Sequence, residues 1–275
     1  MKKDKSIALS FFCKNRESIM NKDYSYKFIE GLPPALNRTD NTELDSLRRI
    51  WNEQYTKLRD NESIKTFNEK MKREWAIETG IIENLYTLDR GVTEFLIEKG
   101  IEESFISHGS TDQAPAIVVS IINDQKQALD FIFDYIKENR PLTTSFIKEL
   151  HALLTRNQEI TNAMDQFGTV REVKLLKGEW KKHPNNPKRQ NGTMHEYCPP
   201  EHVSAEMDNL IEKYNTLIEL DISIEIQSAW LHHRFTQIHP FQDGNGRVAR
   251  GLSSLVFIKA NWFPLVIHRD QRAEY

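Results

Sequence analysis

The sequence is poor in cysteine and contains no long hydrophobic run. Its 275 residues include two cysteines, Cys13 and Cys198, which lie far apart and without a partner at metal-ligand spacing. A disulfide scaffold and a structural zinc cluster are therefore disfavoured, and a reducing compartment is expected. No segment reaches the roughly eighteen apolar residues that a membrane-spanning helix needs, so no membrane partner is expected.

The N-terminus also lacks a convincing secretory signal. Three early lysines precede an apolar stretch at residues 6–13, but Lys14 ends this stretch early. A signal peptide needs a longer apolar core followed by a small-residue cleavage site. We therefore expect a cytoplasmic location.

An excess of positive charge is missing as well. Lys and Arg number 37 against 40 Asp and Glu, which gives a net charge of -3. This balance lacks the broad basic field of a general nucleic-acid binder, so no nucleic-acid partner is expected. The basic run at 181–189 is interpreted as a solvated loop.

Apolar residues recur at helical spacing over most of the chain. The pattern predicts helices at about 41–58, 62–85, 91–99, 124–139, 143–154, 201–219, 223–237 and from 245 onwards. The glycine- and proline-rich stretch 168–200 contains the β-prone run VREVKLL and predicts a hairpin or loop between helices. The fold class is therefore mainly α, with one small β element.

The segment from Ile238 to Ala260 combines a helix end, a tight Asp-Gly-Asn-Gly loop and a second helix start. Backbone N–H groups in such a loop, at a helix N-terminus, form an anion site. Each part alone also fits a structural turn, since His-Pro often ends a helix and Gly-Asn-Gly is often only a turn.

The charged and titratable residues of this segment suit phosphate chemistry. Arg247 and Arg250, three residues apart, can both lean toward an anion, and Asp243 can hold Mg²⁺ against phosphate. His239 lies where a neutral imidazole can take a proton from a hydroxyl. Phosphoryl or nucleotidyl transfer relies on these parts, because its catalysis is mostly positioning and electrostatics.

The run HPFQDGNGRVAR, residues 239–250, resembles the Fic-domain signature HPF-x-[DE]-GNGR-x-x-R at every specified position. The resemblance extends over roughly residues 60–275. It implies a Fic-type helical domain with a small β-hairpin flap, and an N-terminal segment 1–60 that is partly helical before a catalytic domain at 61–275. It also implies AMP transfer from ATP to a Ser, Thr or Tyr hydroxyl of a target protein.

The same resemblance assigns roles residue by residue. His239 is similar to the general base and Asp243 to the Mg²⁺ ligand. The phosphate-binding positions are Gly244, Asn245, Gly246, Arg247 and Arg250. The flap that aligns a target segment is placed at Lys174, Leu175, Leu176, Lys177 and Gly178. The expected partners are a target protein and the chain itself, through auto-modification. A second copy of the chain, in a homodimer, is a third.

A second motif lies upstream, in a predicted helix near 70–85. Thr79, Glu83 and Asn84 fit the family's inhibitory pattern [ST]-x-x-x-E-[GN]. The resemblance implies that Glu83 forms a salt bridge with Arg250 and so restrains the enzyme. Without the resemblance, Glu83 could equally be a solvated helix residue.

Several alternatives remain open at this point. A Fic protein could use another donor, such as UTP, GTP or a phosphocholine conjugate, or could bind nucleotide as a regulatory module without turnover. His232 and His233 could be taken for metal ligands together with Asp243, but a buried, hydrogen-bonded histidine is the preferred interpretation.

Overall fold

The computed structural model of the protein describes residues 26–33, 42–58, 61–164, 169–189 and 191–272. The early apolar stretch 6–13 and Cys13 lie outside these residues. The α-helices are α1 (Thr42–Leu58), α2 (Glu62–Ile82), α3 (Arg90–Lys99), α4 (Pro115–Lys137), α5 (Thr144–Leu154), α6 (Pro200–Glu219), α7 (Ile224–Ile238) and α8 (Asn245–Lys259), and the strands are β1 (Ile160–Met164) and β2 (Val170–Lys174). The mainly α fold class is confirmed.

The centre of the fold is α8, which follows α7 and makes its largest contact with it. Helices α4 and α5 also pack on α8, while α6 covers α7 and α2 covers α4. Nearly every side chain of α8 from Val248 to Val256 is buried, including two serines. A helix that is buried all round must sit at the core, so its N-terminus and the preceding loop are held rigidly.

Local sequence explains where several helices begin and end. Thr143 caps α5 by accepting a hydrogen bond from the Phe146 N–H, and Gly100 ends α3 with φ of 125°. The expected start of the 124–139 helix was wrong, because α4 begins at Pro115. Proline suits the first helical position, and the β-branched run after it hides the helical period.

The β element also differs from the sequence prediction. β2 forms within the expected run, but its antiparallel partner β1 lies upstream of residues 168–200, with Ile160 opposite Lys174. The β1 sequence Ile-Thr-Asn-Ala-Met lacks the alternation that marks a half-buried strand. All five residues of β2 are exposed, so the hairpin projects from the helical body.

An aromatic cluster ties α1 to the segment after α8. Trp51 packs edge-on against Phe263 and tilted against Phe67, and its indole N–H donates to the Asn261 carbonyl at 2.7 Å. The division into residues 1–60 and 61–275 stays a prediction. Within the described ranges, no helix is both long and apolar enough to span a bilayer.

Candidate active site

The side chain of Asn245 holds the loop between α7 and α8, residues 239–244, by hydrogen bonds to its main chain. The Asn245 amide accepts a hydrogen bond from the Phe241 N–H at 2.9 Å and donates to the Phe241 carbonyl at 2.8 Å. His239 and Gly244 adopt left-handed conformations, with φ of 54° and 76°. The Asn245 side chain therefore shapes the loop, and its backbone N–H lies at the start of α8, where the sequence predicts an anion.

His239 is held as a neutral imidazole. Its Nδ1 lies 3.3 Å from the Thr236 carbonyl, which can only accept, so Nδ1 carries the proton and Nε2 keeps a lone pair. The imidazole stacks on the Tyr197 ring with centroids 3.8 Å apart. Burial and the nearby Lys181 lower the pKa of His239 to about 3, so the ring is neutral near pH 7.

Asp243 is a carboxylate fixed on both oxygens. Oδ1 accepts from the Gly244 N–H at 2.6 Å, and Oδ2 accepts from the Gln158 amide at 2.7 Å and from the Thr161 hydroxyl at 3.0 Å. Burial works to raise the pKa of this carboxyl, but Arg247 and these hydrogen bonds together hold the pKa below its usual value. Asp243 is therefore ionised.

The two arginines of α8 are both almost fully buried. Arg247 donates to the Leu154 carbonyl at 3.1 Å and to the Gln158 side-chain oxygen at 2.5 Å, and lies 3.8 Å from Asp243. Arg250 donates to the Glu83 carboxylate at 2.8 Å. The contact between Glu83 and Arg250 that the sequence led us to expect is thus present.

Glu83 also covers the start of α8. A Cβ added at Gly246 would overlap the Glu83 carboxylate, so this side chain rests directly on the first turn of the helix. Unpaired N–H groups and the helix dipole favour an anion at that position. A protein carboxylate therefore lies where the sequence predicts a phosphate.

The end of α2 positions Glu83 by its backbone geometry. The Leu85 N–H donates to the Gly80 carbonyl, and Asn84 has φ of 54°. This is a Schellman ending, in which the left-handed position favours Gly or Asn. The preference of the motif at 79–84 for Gly or Asn after the glutamate therefore has a conformational cause. The Tyr86 ring lies on Gly80, where any Cβ would overlap it.

An open cleft of about 1240 Å³ leads to His239 and Asp243. Its walls are the β1–β2 hairpin and the loop around 183–186. The flap expected at Lys174–Gly178 stays a prediction; of its residues, only Lys174 belongs to a strand. Leu175 is buried, with its N–H bonded to the Glu159 carbonyl, and the Gly178 N–H donates to His151. The exposed strand beside the cleft is β2, residues 170–174.

His232 is half-buried with a hydrogen-bonded ring, in keeping with the structural role that we preferred. Its Nδ1 lies 3.2 Å from the Ser253 hydroxyl, and burial together with Arg250 lowers its pKa to about 4. Among the described residues, no group of three or more His, Cys, Asp or Glu is placed to hold a metal ion.

Sequence reasoning missed four residues that build this site. His151 links the Asp243 carbonyl, 3.0 Å from its Nε2, to the Gly178 N–H, 2.8 Å from its Nδ1. The other three are Gln158, Lys181 and Tyr197. They lie far from the signature in the chain, so only an alignment or a structure could have found them.

Comparison with known proteins identifies this part of the molecule. Residues 141–256 match the Fic/DOC family model. This region belongs to the Fic/DOC family. The Fic match spans α5, the hairpin, α6, α7 and most of α8, and contains the whole run 239–250. The inhibitory motif at 79–84 lies outside it.

Curated relatives match over short stretches. Protein adenylyltransferase fic-1 of Caenorhabditis elegans is 33% identical over 76 residues, which are 28% of this chain and 15% of that protein. A Fido domain-containing protein of Dictyostelium discoideum is 40% identical over 76 residues, 27% of this chain and 53% of its own length. The chain thus spans about half or less of these relatives.

Solved structures match over more of the chain. A Fic domain containing signaling protein from Bacteroides thetaiotaomicron is 27% identical, with a TM-score of 0.64 over 83% of this chain and 78% of that one. Fic-1 of C. elegans is 20% identical, with a TM-score of 0.57 over 85% of this chain and 61% of that one. At 20% identity, this second likeness shows a common fold only.

Proposed function

We propose that the protein is a protein adenylyltransferase that transfers AMP from ATP to a Ser, Thr or Tyr hydroxyl, and that Glu83 restrains it. One observation carries the proposal: a neutral His239, with Nε2 as acceptor, stands beside Asp243 and the N-terminus of α8. The curated relatives named protein adenylyltransferase support the same activity.

The proposed reaction moves one proton, forms one bond and breaks one bond, and residues of the site assist these changes. His239 Nε2 takes the proton of the target hydroxyl, whose oxygen then bonds to the α-phosphorus of ATP. The bond from that phosphorus to the oxygen bridging the β-phosphorus breaks, so pyrophosphate leaves and a phosphodiester remains on the target. Arg247 and the first N–H groups of α8 stabilise the negative charge on the phosphates.

The site fits Mg²⁺ better than a transition metal. Asp243 offers hard oxygen ligands, and no His or Cys completes a zinc-type set with it among the described residues. Mg²⁺ is commonly bound by one or two carboxylates, with waters and substrate phosphates as its other ligands. When bound, Mg²⁺ would neutralise charge on the phosphates beside Asp243.

The proposed restraint follows from the position of Glu83. Its carboxylate takes the guanidinium of Arg250, which would otherwise hold the terminal phosphate of ATP. It also places negative charge against Gly246, where that phosphate would approach. ATP would then bind only in a displaced pose, and the chain as isolated would be nearly inactive.

The exposed hairpin is the proposed docking surface for the target. The strands pair with each other, and among the described residues neither pairs with a third strand. A target segment that adds to an open strand edge is held by backbone hydrogen bonds, so its side chains can vary. Cytoplasmic location, auto-modification and homodimer formation stay predictions.

Transfer of label from nucleotide tests the proposal. The chain with Glu83→Gly should acquire label from α-³²P ATP in the presence of Mg²⁺, and should acquire none when His239→Ala is added. Label from α-³²P UTP or GTP instead would indicate another donor. Nucleotide binding without label in the Glu83→Gly chain would indicate a regulatory module and contradict the proposal.

A further inference from the structure

Gln158 connects the two charged groups that the proposed function places on the nucleotide. Its side-chain N–H donates to Asp243 Oδ2 at 2.7 Å, while its side-chain oxygen accepts from Arg247 at 2.5 Å. The direct separation between Arg247 and Asp243 is 3.8 Å, which is longer than a hydrogen bond. The amide of Gln158 is thus the shorter link between them.

The orientation of this amide is determined by its partners. Arg247 can only donate and an ionised Asp243 can only accept, so exchanging the amide oxygen and nitrogen would oppose like groups at both ends. The remaining amide hydrogen is directed to the Ile160 carbonyl at 3.3 Å, at the start of β1. Both N–H groups and the oxygen of the Gln158 side-chain amide therefore have hydrogen-bond partners.

Removal of this amide would leave a carboxylate and a guanidinium facing each other. Arg247 is buried and held at its other nitrogen by the Leu154 carbonyl. Such a pair prefers direct, short and often bidentate hydrogen bonds. Asp243 would then close on Arg247, and each charge would be neutralised by the other instead of acting on metal or phosphate.

We infer that Gln158 is a positioning residue that keeps Asp243 and Arg247 apart, so that Arg247 remains available to the phosphates of the nucleotide and Asp243 to Mg²⁺. This inference rests on the proposed function and adds to it a residue outside the signature. Gln158 itself lines the cleft and is partly exposed, so its packing contributes little to the core.

A double-mutant cycle separates this role from a structural one. The affinity of a non-hydrolysable ATP analogue is measured in EDTA, with all chains carrying Glu83→Gly. Gln158→Leu should weaken binding about tenfold, because Arg247 is captured by Asp243. In the presence of Asp243→Ala, Gln158→Leu should change the affinity less than about twofold. An equal loss in both backgrounds would overturn the inference.

Thr161→Val is the matched comparison, because it removes another hydrogen bond to the same Asp243 oxygen but none to Arg247. It should weaken binding less than Gln158→Leu does. If Gln158→Leu does not fold, Gln158→Asn is used, since its shorter side chain cannot reach both partners.

The crystal structure of the Gln158→Leu chain gives a second test that needs no nucleotide. Arg247 and Asp243 should approach within about 3.2 Å, and a retained separation would overturn the inference by itself. If the Glu83→Gly parent binds no ATP analogue while the two residues do close together, the proposed function fails and the spacing role of Gln158 stands.

Discussion

The loop at 239–244 and the helix end at 79–84, which covers the start of α8, are held in different ways. The loop is fixed from within the Fic domain, by the Asn245 amide on Phe241 and by His151 at the Asp243 carbonyl. The helix end reaches the site at Arg250, which donates to the Glu83 carboxylate at 2.8 Å and to the Thr79 carbonyl at 3.4 Å. Because the loop is held by residues of its own domain, removal of Glu83 should leave the conformation of the loop unchanged.

The cover is also held on its far side by the segment after α8. Arg272 donates to the Asn84 side-chain oxygen at 2.9 Å, and the Arg269 N–H donates to Glu78 at 3.3 Å. His268 lies 3.5 Å from the same Glu78 carboxylate. These contacts are partly exposed and individually weak.

The largest effect should come from the loop itself. In a Glu83→Gly chain, His239→Ala should lower the labelling rate by about 10²–10⁴-fold, because a positioned base is lost. ATP binding should remain, since the imidazole acts on the hydroxyl. His233→Ala is the control, because this exposed histidine lies on the same helix and should label like the parent. Equal rates for both variants would exclude His239 as the base.

A methyl group added at Gly80, near the end of α2, should have the next largest effect, on stability. Gly80→Ala forces the buried Tyr86 ring away from the end of α2, so the free energy of unfolding should fall by about 1–3 kcal/mol. Gly91→Ala is the control, because its Cβ would meet open space. Urea unfolding of both variants checks the difference. If Gly80→Ala is as stable as Gly91→Ala, Tyr86 does not fix this turn.

A smaller effect is expected from the outer contact of Asn84. Asn84→Gly keeps the positive φ but loses the hydrogen bond from Arg272, and should raise auto-labelling roughly two- to fivefold. Arg272→Ala should have the same effect, and the two changes together should add nothing further. Additive increases in the double variant would show that the two residues act separately.

Acidification should lower the free energy of unfolding but leave the labelling rate per folded molecule unchanged. The pKa of His239 is lowered to about 3 and that of His232 to about 4. Histidines in the unfolded chain bind protons near pH 6.5, so the free energy of unfolding should fall as the pH drops below that value. The labelling rate per folded Glu83→Gly molecule should stay level to about pH 5. A rate that halves near pH 6.5 would contradict a neutral, buried His239.

The sequence was most informative where function is concentrated in consecutive residues. The run 239–250 located the loop, both arginines and His239, and the motif at 79–84 led to the salt bridge between Glu83 and Arg250. Gln158 and His151 could not be found in this way, because they lie 85 and 92 residues from Asp243 and belong to no short pattern. Hydrogen bonds between distant segments leave no periodic signal.

The hairpin was the least predictable region for a related reason. β2 is exposed along its whole length and so has no buried face, and the pairing of β1 with β2 follows from tertiary structure. The flap stays a prediction at 174–178, which overlaps the exposed strand β2 only at Lys174. The apolar run after Pro115 hides the helical period because apolar residues also fill exposed positions, such as Ile117, which is 50% exposed.

The coupling between Glu83 and Arg250 tests the central claim most directly. Auto-labelling from α-³²P ATP is compared in wild type, Glu83→Gly, Arg250→Ala and the double variant. Glu83→Gly should raise labelling well above wild type, while Arg250→Ala and the double variant should both stay low, because the guanidinium that Glu83 captures is the one ATP needs. If Glu83→Gly activates the Arg250→Ala chain as strongly as wild type, the carboxylate does not act through this arginine.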